Sequence, residues 1–193
     1  MYSVTFSYEE NCNYVMEKRP LTFNGLHLNI REWPLDGSWS FKNFETSIFW
    51  VQVHDLPIPY SAEANGEAIE AKIGIFRGLE KKKKEAFLRQ GYLRMRVEIH
   101  PDQQVPARLF LPLPNGKSRW VQFKYERLLR VCFNCGKLQH EEECKETMAM
   151  VIPPSGKAVR MYGVWLKAES AIDSCFMAAM TPPPDVQRID LEI

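Results

Sequence analysis

The chain has 193 residues, of which 45% are hydrophobic, and its formal net charge is +1. This composition is typical of a folded protein, and it excludes a long disordered chain or a surface that is positive throughout. The N-terminus lacks the basic and apolar regions of a signal peptide, and every apolar run is far shorter than the roughly 20 residues of a membrane helix. We therefore expect an intracellular protein that is not secreted and has no membrane segment.

The first part of the chain is predicted to form a strand, a helix and a second strand. Apolar and polar residues alternate at 2–6 and again at 26–30, which is the period of a half-buried strand. Between them, residues 9–19 have a short helical pattern, and Asn24-Gly25 is a turn signal. Residues 34–47 contain Pro, Gly and Ser and are predicted to be a linker.

The next part is predicted to be an α+β unit dominated by an antiparallel sheet. Residues 92–100 alternate between apolar and charged side chains, so the apolar ones are expected to face the core. Arg94 and Arg96 then face outward. Pro114-Asn115-Gly116 indicates a hairpin turn. The predicted elements are strands at 48–53, 74–79, 92–100, 109–113 and 120–125, and a helix at 62–73.

Four residues in the C-terminal half have the spacing of a zinc site. Cys132 and Cys135 are separated by two residues, and His140 and Cys144 follow. Two cysteines at this spacing bind one Zn²⁺ from a single tight turn, and a histidine and a third cysteine complete the tetrahedron. The clustering of three of the five cysteines favours a metal site over a disulfide framework. The alternative is a surface loop that holds these residues by chance.

The predicted zinc site has no open coordination position. Because protein side chains fill all four positions, we predict a structural metal and not a catalytic one. Gly136 suits the backbone turn that directs amides toward a thiolate. Zinc binding and folding of this small loop are then one event. Replacing Cys135 with serine is expected to release the metal and to leave most of the sheet folded.

The segment 132–144 resembles the retroviral-type zinc knuckle, whose pattern is C-x2-C-x4-H-x4-C. FWVQVHDLP at 49–57 and WVQFKYERL at 120–128 look like segments of plant proteins derived from LINE-type retrotransposons. YGVWLKA at 162–168 is similar to the motif that follows their knuckle. Residues 4–33 look like the C-terminal half of the domain of unknown function that precedes the knuckle in this family.

This resemblance covers about residues 2–168 and implies zinc binding and nucleic-acid binding. Because the upstream domain is half complete, it also implies an N-terminally truncated member of the family. The chain departs from the family in three ways. The spacer between His140 and Cys144 is one residue shorter, Gln139 stands where the family usually has Gly, and the glutamates at 141–143 place negative charge beside the metal. That charge should repel phosphates.

The knuckle itself offers two candidate contacts with nucleic acid. Zinc knuckles bind single-stranded bases by stacking and hydrogen bonding. Phe133, next to the first cysteine, is the candidate for stacking, and Lys137 is the candidate basic contact. The alternative role of Phe133 is to cap the small core of the knuckle.

Residues 117–130, which we call the basic ribbon, lead directly into the knuckle. They include five basic residues and one acidic residue, with aromatic residues between them. Basic side chains with aromatic platforms suit sequence-tolerant binding of single strands. The alternative is a half-buried strand with aromatic residues inward and a solvated basic face. The candidate contacts are Lys117, Arg119, Trp120, Lys124, Arg127 and Arg130, extended by Arg94 and Arg96 from a neighbouring strand.

Residues 81–84 are four consecutive lysines. They are a candidate phosphate contact or nuclear-import signal, and the alternative is a solvated loop. With the expected nucleic-acid binding, they favour the nucleus over the cytoplasm.

No enzymatic motif is evident. Phosphate-binding loops, dinucleotide fingerprints and nucleophile elbows are absent from the sequence. His54 and Asp55 are neighbours in a predicted strand and point to opposite faces, so they cannot form a relay. We expect a non-enzymatic protein that binds RNA or single-stranded DNA and has no small-molecule substrate. The alternative is a protein-interaction or relic module whose altered knuckle no longer binds nucleic acid.

The predicted organisation has five parts. They are the partial upstream domain at 1–33, the linker at 34–47, the α+β sheet domain at 48–130, the zinc knuckle at 131–146, and an irregular tail at 147–193 with a short helix at 169–180.

Overall fold

The structure is a computed structural model. It describes residues 2–38, 44–57, 69, 73–79, 89–112, 118–138, 140, 144–152, 157–172 and 174. The predictions for the lysines at 81–84, the turn at 113–117 and most of the helix at 62–73 lie outside these residues. Ile69, within that helix, is helical and buried.

The described elements are mostly strands. They are α1 (Glu9–Glu17), β1 (Leu21–Phe23), β2 (Leu26–Leu28), β3 (Ser47–His54), β4 (Ile75–Leu79), β5 (Tyr92–Ile99), β6 (Arg108–Pro112), β7 (Ser118–Tyr125), β8 (Met150–Val151), β9 (Val159–Arg160) and a 3₁₀ turn (Val164–Leu166). All strand pairs are antiparallel. The fold is therefore mixed and mostly β, as the sequence predicts.

Five strands form the main sheet in the order β4–β5–β3–β7–β6. β3 is the central strand, and it pairs with β5 on one side and with β7 on the other. Its β-branched and aromatic residues suit a strand that is covered on both edges. Because β3 lies between them, β5 and β7 are not adjacent, although the sequence predicted that they are neighbours.

The hydrophobic core lies on one face of the main sheet. Its fully buried side chains include Phe49, Val51, Met95, Phe123 and Tyr125. Burying a side chain of this kind contributes about 1.5–3 kcal/mol. Residues beyond the end of β7 belong to the same core, namely Leu128, Val131 and Leu138. The chain that enters the knuckle is therefore held against the sheet by apolar packing.

The opposite face of the sheet, which we call the polar face, carries the charged side chains predicted to point outward. Trp50, Arg94, Arg96 and Lys124 lie on it. Glu98 also lies on this face, but its exposed fraction is only 7%. The predicted outward face is therefore covered at Glu98, where Arg31 from the predicted N-terminal part and Thr46 from the predicted linker contact it.

The predicted strand at 2–6 is wrong. Tyr2 and Val4 are 98% and 71% exposed, and no strand is assigned there. Alternating residues form a strand only where a neighbouring strand accepts their hydrogen bonds, and among the described residues none pairs with this segment. The predicted helix and turn are present as α1 and as the β1–β2 hairpin around Asn24 and Gly25, which have φ of 48° and 75°.

The β1–β2 hairpin packs against the sheet through a histidine. Leu26 and Leu28 are exposed, whereas the His27 ring lies 5.3 Å from the Phe49 ring in an edge-to-face arrangement. His27 Nε2 is 3.1 Å from both the backbone nitrogen and the carbonyl oxygen of Leu129. Period-two alternation identified the strand, but it assigned the buried side to the leucines.

The segment after the knuckle contains more regular structure than predicted. β8 and β9 pair as a short hairpin, and the 3₁₀ turn follows. The described part of the predicted helix at 169–180 is not helical, and the rest of it lies outside the described residues.

Candidate metal centre and nucleic-acid interface

A tight backbone turn presents the first two cysteines. The Cys132 N–H donates to the Lys137 carbonyl at 2.9 Å, and the Gly136 N–H donates to the Cys132 carbonyl at 2.7 Å. Gly136 has φ of +81°, a conformation that favours glycine. The backbone N–H of Lys137 acts on the Cys135 sulfur and opposes the rise in its pKa that burial causes. The turn therefore directs an amide toward a thiolate, as the position of Gly136 predicted.

Tyr162 closes the back of this turn. A Cβ atom added to Gly136 would lie 2.2 Å from Tyr162 Cζ, so the ring packs directly on the glycine. Tyr162 is buried, and burial raises the pKa of its hydroxyl to about 12. This residue was not singled out from the sequence, although it belongs to the motif at 162–168 that resembles the segment following the knuckle in the family.

Backbone hydrogen bonds join the knuckle to the loop after β5. The Val105 N–H donates to the Gly136 carbonyl at 2.9 Å, and the Leu138 N–H donates to the Pro101 carbonyl at 3.1 Å. Lys137 forms a further bridge to Gln104. The cysteine turn is thus held from both sides, by the core and by this loop.

Three thiols converge at this turn. The sulfurs of Cys132, Cys135 and Cys144 all lie within 4.8 Å of one another. In a tetrahedral zinc site with Zn–S bonds of 2.3 Å, two sulfurs are separated by about 3.8 Å, so the cluster needs at most a small contraction to fit the ion. Burial raises the pKa of Cys135 to about 11, so this thiol is protonated at neutral pH and would have to lose its proton to bind a metal.

Asn134 supports the third thiol. Its Nδ2 lies 3.2 Å from Cys144 Sγ and 2.6 Å from the Glu146 carbonyl oxygen. The hydrogen bond from this amide lowers the pKa of Cys144 to about 6, and the backbone N–H of Glu146 acts in the same direction. Donors of this kind stabilise a metal-bound thiolate and fix its position. Nothing in the spacing of the cysteines indicated this role for Asn134.

His140, the fourth predicted ligand, is not part of the group of three thiols that lie within 4.8 Å of one another. Its Nε2 is buried and has no hydrogen-bond partner in the described part of the chain. A buried ring nitrogen without a partner is unusual, and coordination to an ion would satisfy it. Gln139 and residues 141–143, which flank His140, lie outside the described residues. The role of His140 as a ligand therefore stays a prediction.

The two predicted contacts in the knuckle both have protein partners. Phe133 is half-buried and packs against the hydrophobic core, and Lys167 Nζ lies 5.7 Å from its ring centre. Lys137 Nζ is 3.0 Å from a carboxylate oxygen of Glu146. This geometry agrees with the core-capping alternative for Phe133, and its stacking with a base stays a prediction.

Along β7, the basic ribbon divides between the two faces of the sheet. Trp120 and Lys124 lie on the polar face, whereas Arg119 points the other way, is half exposed, and has a guanidinium nitrogen 4.0 Å from the Asp55 carboxylate. Tyr125 is fully buried, and its hydroxyl donates to the Pro106 carbonyl at 2.6 Å. The side chains of β7 therefore alternate between the two faces, and this separates Arg119 from Lys124.

Arg94 and Lys124 lie in one row across the polar face, with Gln52 of β3 between them. Arg94 donates two hydrogen bonds of 2.7 Å to the Glu126 carboxylate and stacks 3.8 Å from the Trp50 ring centre. Arg96 lies 5.2 Å from the same ring. β5 thus extends the basic surface of β7 across the central strand.

The remaining ribbon residues lie beyond β7 or outside the described residues. Arg127 and Arg130 adopt positive φ of 55° and 50°. A guanidinium nitrogen of Arg127 donates to the Lys18 carbonyl at 2.7 Å, so this side chain ties the chain after β7 to the segment after α1. Arg130 is half-buried. Lys117 lies outside the described residues.

Comparison with known proteins agrees with the geometry of the cysteines. Residues 112–146 match the family model of the zinc knuckle. The chain is also 23% identical over 126 residues to a protein of Arabidopsis thaliana described as uncharacterized; the match covers 65% of this chain and 39% of that protein. No solved structure matches the chain.

Within the described residues, no helix is long and apolar enough to cross a membrane. The zinc knuckle match and the three converging thiols together indicate a metal ion, and zinc is the ion that suits them. The chain therefore carries a segment that is similar to zinc knuckles in sequence and that brings three of its four candidate ligands together in space.

Proposed function

We propose that this protein binds RNA or single-stranded DNA through a surface organised by a structural zinc knuckle. The observation that carries the proposal is the convergence of Cys132, Cys135 and Cys144 inside the segment that matches the zinc knuckle. Zinc knuckles recognise unpaired bases by stacking and hydrogen bonding, and basic residues nearby neutralise the phosphates.

The proposed zinc is structural, with His140 as its fourth ligand. The buried Nε2 of His140, which has no hydrogen-bond partner among the described residues, supports this assignment. With four protein ligands, no position is open for a substrate, so we propose that the protein is not an enzyme. When bound, zinc would fix the turn to which the loop after β5 and Tyr162 are attached.

The proposed contact surface combines the knuckle with both faces of the strands that lead to it. Trp120 is partly exposed beside Arg108, whose guanidinium carbon lies 3.8 Å from its ring centre, so it is the aromatic residue of the ribbon best placed to meet a base. Trp50 is only 8% exposed and instead supports Arg94 and Arg96. Arg119 and the other ribbon cations are proposed to contact phosphates.

Zinc stoichiometry and strand binding test the proposal together. Purified protein should contain one zinc per chain by elemental analysis, and Cys135→Ser should lose it, whereas Cys12→Ser, far from the cluster in sequence, should retain it. Labelled single strands should bind at about 50 mM salt and more weakly as salt rises, because phosphate contacts release counterions. Absence of binding at low salt would exclude the proposal.

A second candidate is a protein-interaction or relic module. The position of His140 outside the group of clustered thiols favours it, as does the negative charge at 141–143. The same measurements separate the two candidates: zinc without strand binding indicates an interaction module, and absence of both indicates a relic.

We further propose a retroelement origin and an intracellular location that favours the nucleus. The sequence motifs at 49–57, 120–128 and 162–168 support the origin, and the lysines at 81–84 support the location. A fluorescent fusion whose nuclear signal is lost when these lysines are replaced would test the location.

A further inference from the structure

A cleft of about 420 Å³ lies between α1 and the polar face of the sheet. Three arginines from separate parts of the chain line it: Arg19 after α1, Arg77 on β4 and Arg96 on β5. None of the sequence motifs pointed to this cleft, because its arginines lie up to 77 residues apart along the chain, from 19 to 96.

The buried carboxylate near the cleft is already saturated. Glu98 accepts hydrogen bonds from Arg31 at 2.7 Å, from Arg77 Nε at 2.6 Å, and from the Thr46 hydroxyl. Two arginines and a hydroxyl thus share one carboxylate. Glu98 therefore cannot also neutralise the other two arginines that line the cleft.

Arg19 and Arg96 have no carboxylate partner in the part of the chain that the structure describes. Arg19 is held by the Met16 carbonyl at 2.7 Å and the Ile30 carbonyl at 3.3 Å. Arg96 is supported by the Trp50 ring, and its Nε is buried without a hydrogen-bond partner among the described residues. Both guanidiniums are therefore positioned by uncharged groups, and Glu32 and Glu98 act on Arg19 only as charges beyond ion-pair distance.

We propose that this cleft binds a phosphate group. Guanidiniums bind phosphate oxygens through paired N–H donors, and Arg19 and Arg96, which come from different parts of the chain, suit an anion with several oxygens. The cleft is larger than one phosphate, so the phosphate belongs to a larger molecule. A phosphodiester of a bound single strand is the source that agrees with the proposed function, and in that form the inference rests on it; a free nucleotide is the other source.

Two glutamates limit the strength of this site. Glu17 and Glu32 also line the cleft, and both are exposed. They equal in number the two lining arginines without an ion pair among the described residues, Arg19 and Arg96, and each opposes an incoming anion. This arrangement gives a prediction of opposite sign: removing a glutamate charge should strengthen phosphate binding, whereas removing an arginine charge should weaken it.

The test is calorimetric titration of the full chain with pyrophosphate, a mononucleotide and a short oligothymidylate. Arg96→Gln should weaken pyrophosphate binding about tenfold or more, the loss expected for charge-assisted hydrogen bonds. Glu32→Gln should strengthen it about two- to threefold. Lys157→Gln removes one exposed positive charge elsewhere and should have little effect. Arg96→Lys keeps the positive charge but loses the paired N–H donors of the guanidinium. This variant should therefore bind pyrophosphate less tightly than the original protein.

The outcomes separate this inference from the proposed function. Loss of both pyrophosphate and oligothymidylate binding in Arg96→Gln supports a strand phosphate in the cleft. If Arg96→Gln loses binding of pyrophosphate and of the mononucleotide but retains binding of oligothymidylate, the ligand of the cleft is a free phosphate compound. If Cys135→Ser abolishes strand binding but retains pyrophosphate, the two sites are independent. Absence of pyrophosphate binding in folded protein, or equal weakening by Lys157→Gln, would overturn the proposal.

Discussion

Glu98 is buried, although its sequence context predicted an exposed side chain. Its position in β5 predicted an outward charge, yet it is buried beneath Arg31 and Arg77. Burial alone would raise its pKa, but hydrogen bonds from Thr46, Arg31 and Arg77 outweigh that effect and lower the pKa to about 2. The ionised carboxylate thus joins the segment before β3 to β4 and β5.

Acid should weaken this joint in a defined pH window. Because the folded pKa of Glu98 is about 2 and its ordinary value is 4.5, its stabilisation is present above about pH 4.5 and is lost as pH falls toward 2. The full shift corresponds to a free energy of unfolding on the order of 3 kcal/mol. Urea unfolding at pH 6 and pH 3 should show Glu98→Gln to be less stable at pH 6 and less sensitive to acid. Replacing the exposed Glu45 should change neither; an unaltered acid sensitivity in Glu98→Gln would contradict this account.

Gly136 is required both by its backbone and by its neighbour. In Gly136→Ala, a Cβ would strain the positive φ and would clash with Tyr162, so we expect weaker zinc binding and lower stability. Gly37→Ala is the matched control, since Gly37 has φ of +70° and no atom within 4 Å of an added Cβ. That control should lose only about 1–2 kcal/mol of stability. Competition with a chelator measures the zinc affinity, and equal affinities in the two variants would refute the packing argument.

Asn134 should raise the affinity for zinc without being a ligand of the metal. Asn134→Ala removes the donor at Cys144 Sγ and the bond to the Glu146 carbonyl. Loss of such a supporting hydrogen bond typically weakens zinc affinity about 10- to 100-fold. Chelator competition on the variant tests this expectation, with circular dichroism to verify the sheet. Wild-type affinity would show that the cysteine turn holds the metal unaided.

At the scale of elements, a histidine joins the β1–β2 hairpin to the core. Leu26 and Leu28 are exposed, whereas His27 contacts Phe49 and Leu129. Burial lowers the pKa of His27 below its ordinary value of 6.5. The ring is therefore neutral in the folded protein at neutral pH, and charging it requires the hairpin to leave its apolar surroundings.

Docking of this hairpin should consequently weaken in acid. A depressed folded pKa gives stability that is present above about pH 6.5 and lost as pH falls through the folded value. Amide exchange in residues 21–28 should therefore be slow at pH 7.5 and faster at pH 5.5, after correction for intrinsic rates. His27→Gln removes the titrating group and should abolish the difference. Persistence of the same difference in that variant would assign the effect to another group.

At the scale of the whole molecule, the knuckle and the sheet share one core. Val131 and Leu138, on either side of the cysteine turn, pack with the side chains of β3 and β7. The loop after β5 is hydrogen-bonded to the turn through Val105 and Pro101. Disturbance of the metal centre is therefore expected to reach the sheet through this loop.

Removal of zinc should loosen more than the knuckle but less than the whole fold. The buried side chains of β3, β5 and β7 do not depend on the metal, so we expect the circular dichroism of the sheet to persist after chelation. Amide exchange should increase at Val105 and Leu138, whose N–H groups bond across the joint, and the melting temperature should fall. Global unfolding on chelation would show that the metal stabilises the core itself. Unchanged amide exchange at Val105 after chelation would show that the hydrogen bonds between the loop after β5 and the cysteine turn do not depend on the metal.

Local patterns in the sequence were sufficient for the strands of the main sheet and for the cysteine cluster. The alternation at 92–100 and the β-prone run at 48–53 correspond to β5 and β3, because side chains in a strand alternate between two faces. Close spacing placed Cys132 and Cys135 on one turn, since few backbone conformations connect residues that are three positions apart.

What only the tertiary structure decided is which faces are covered and which distant residues meet. Alternation defines two faces, but it does not state that Glu98 is buried, that His27 and not its leucine neighbours packs inward, or that a strand at 2–6 lacks a partner. The arginine cleft and the place of β3 between β5 and β7 depend on contacts between segments far apart in the chain. Those contacts arise from burial of the whole core, and that burial is a property of the assembled sheet and not of any single segment.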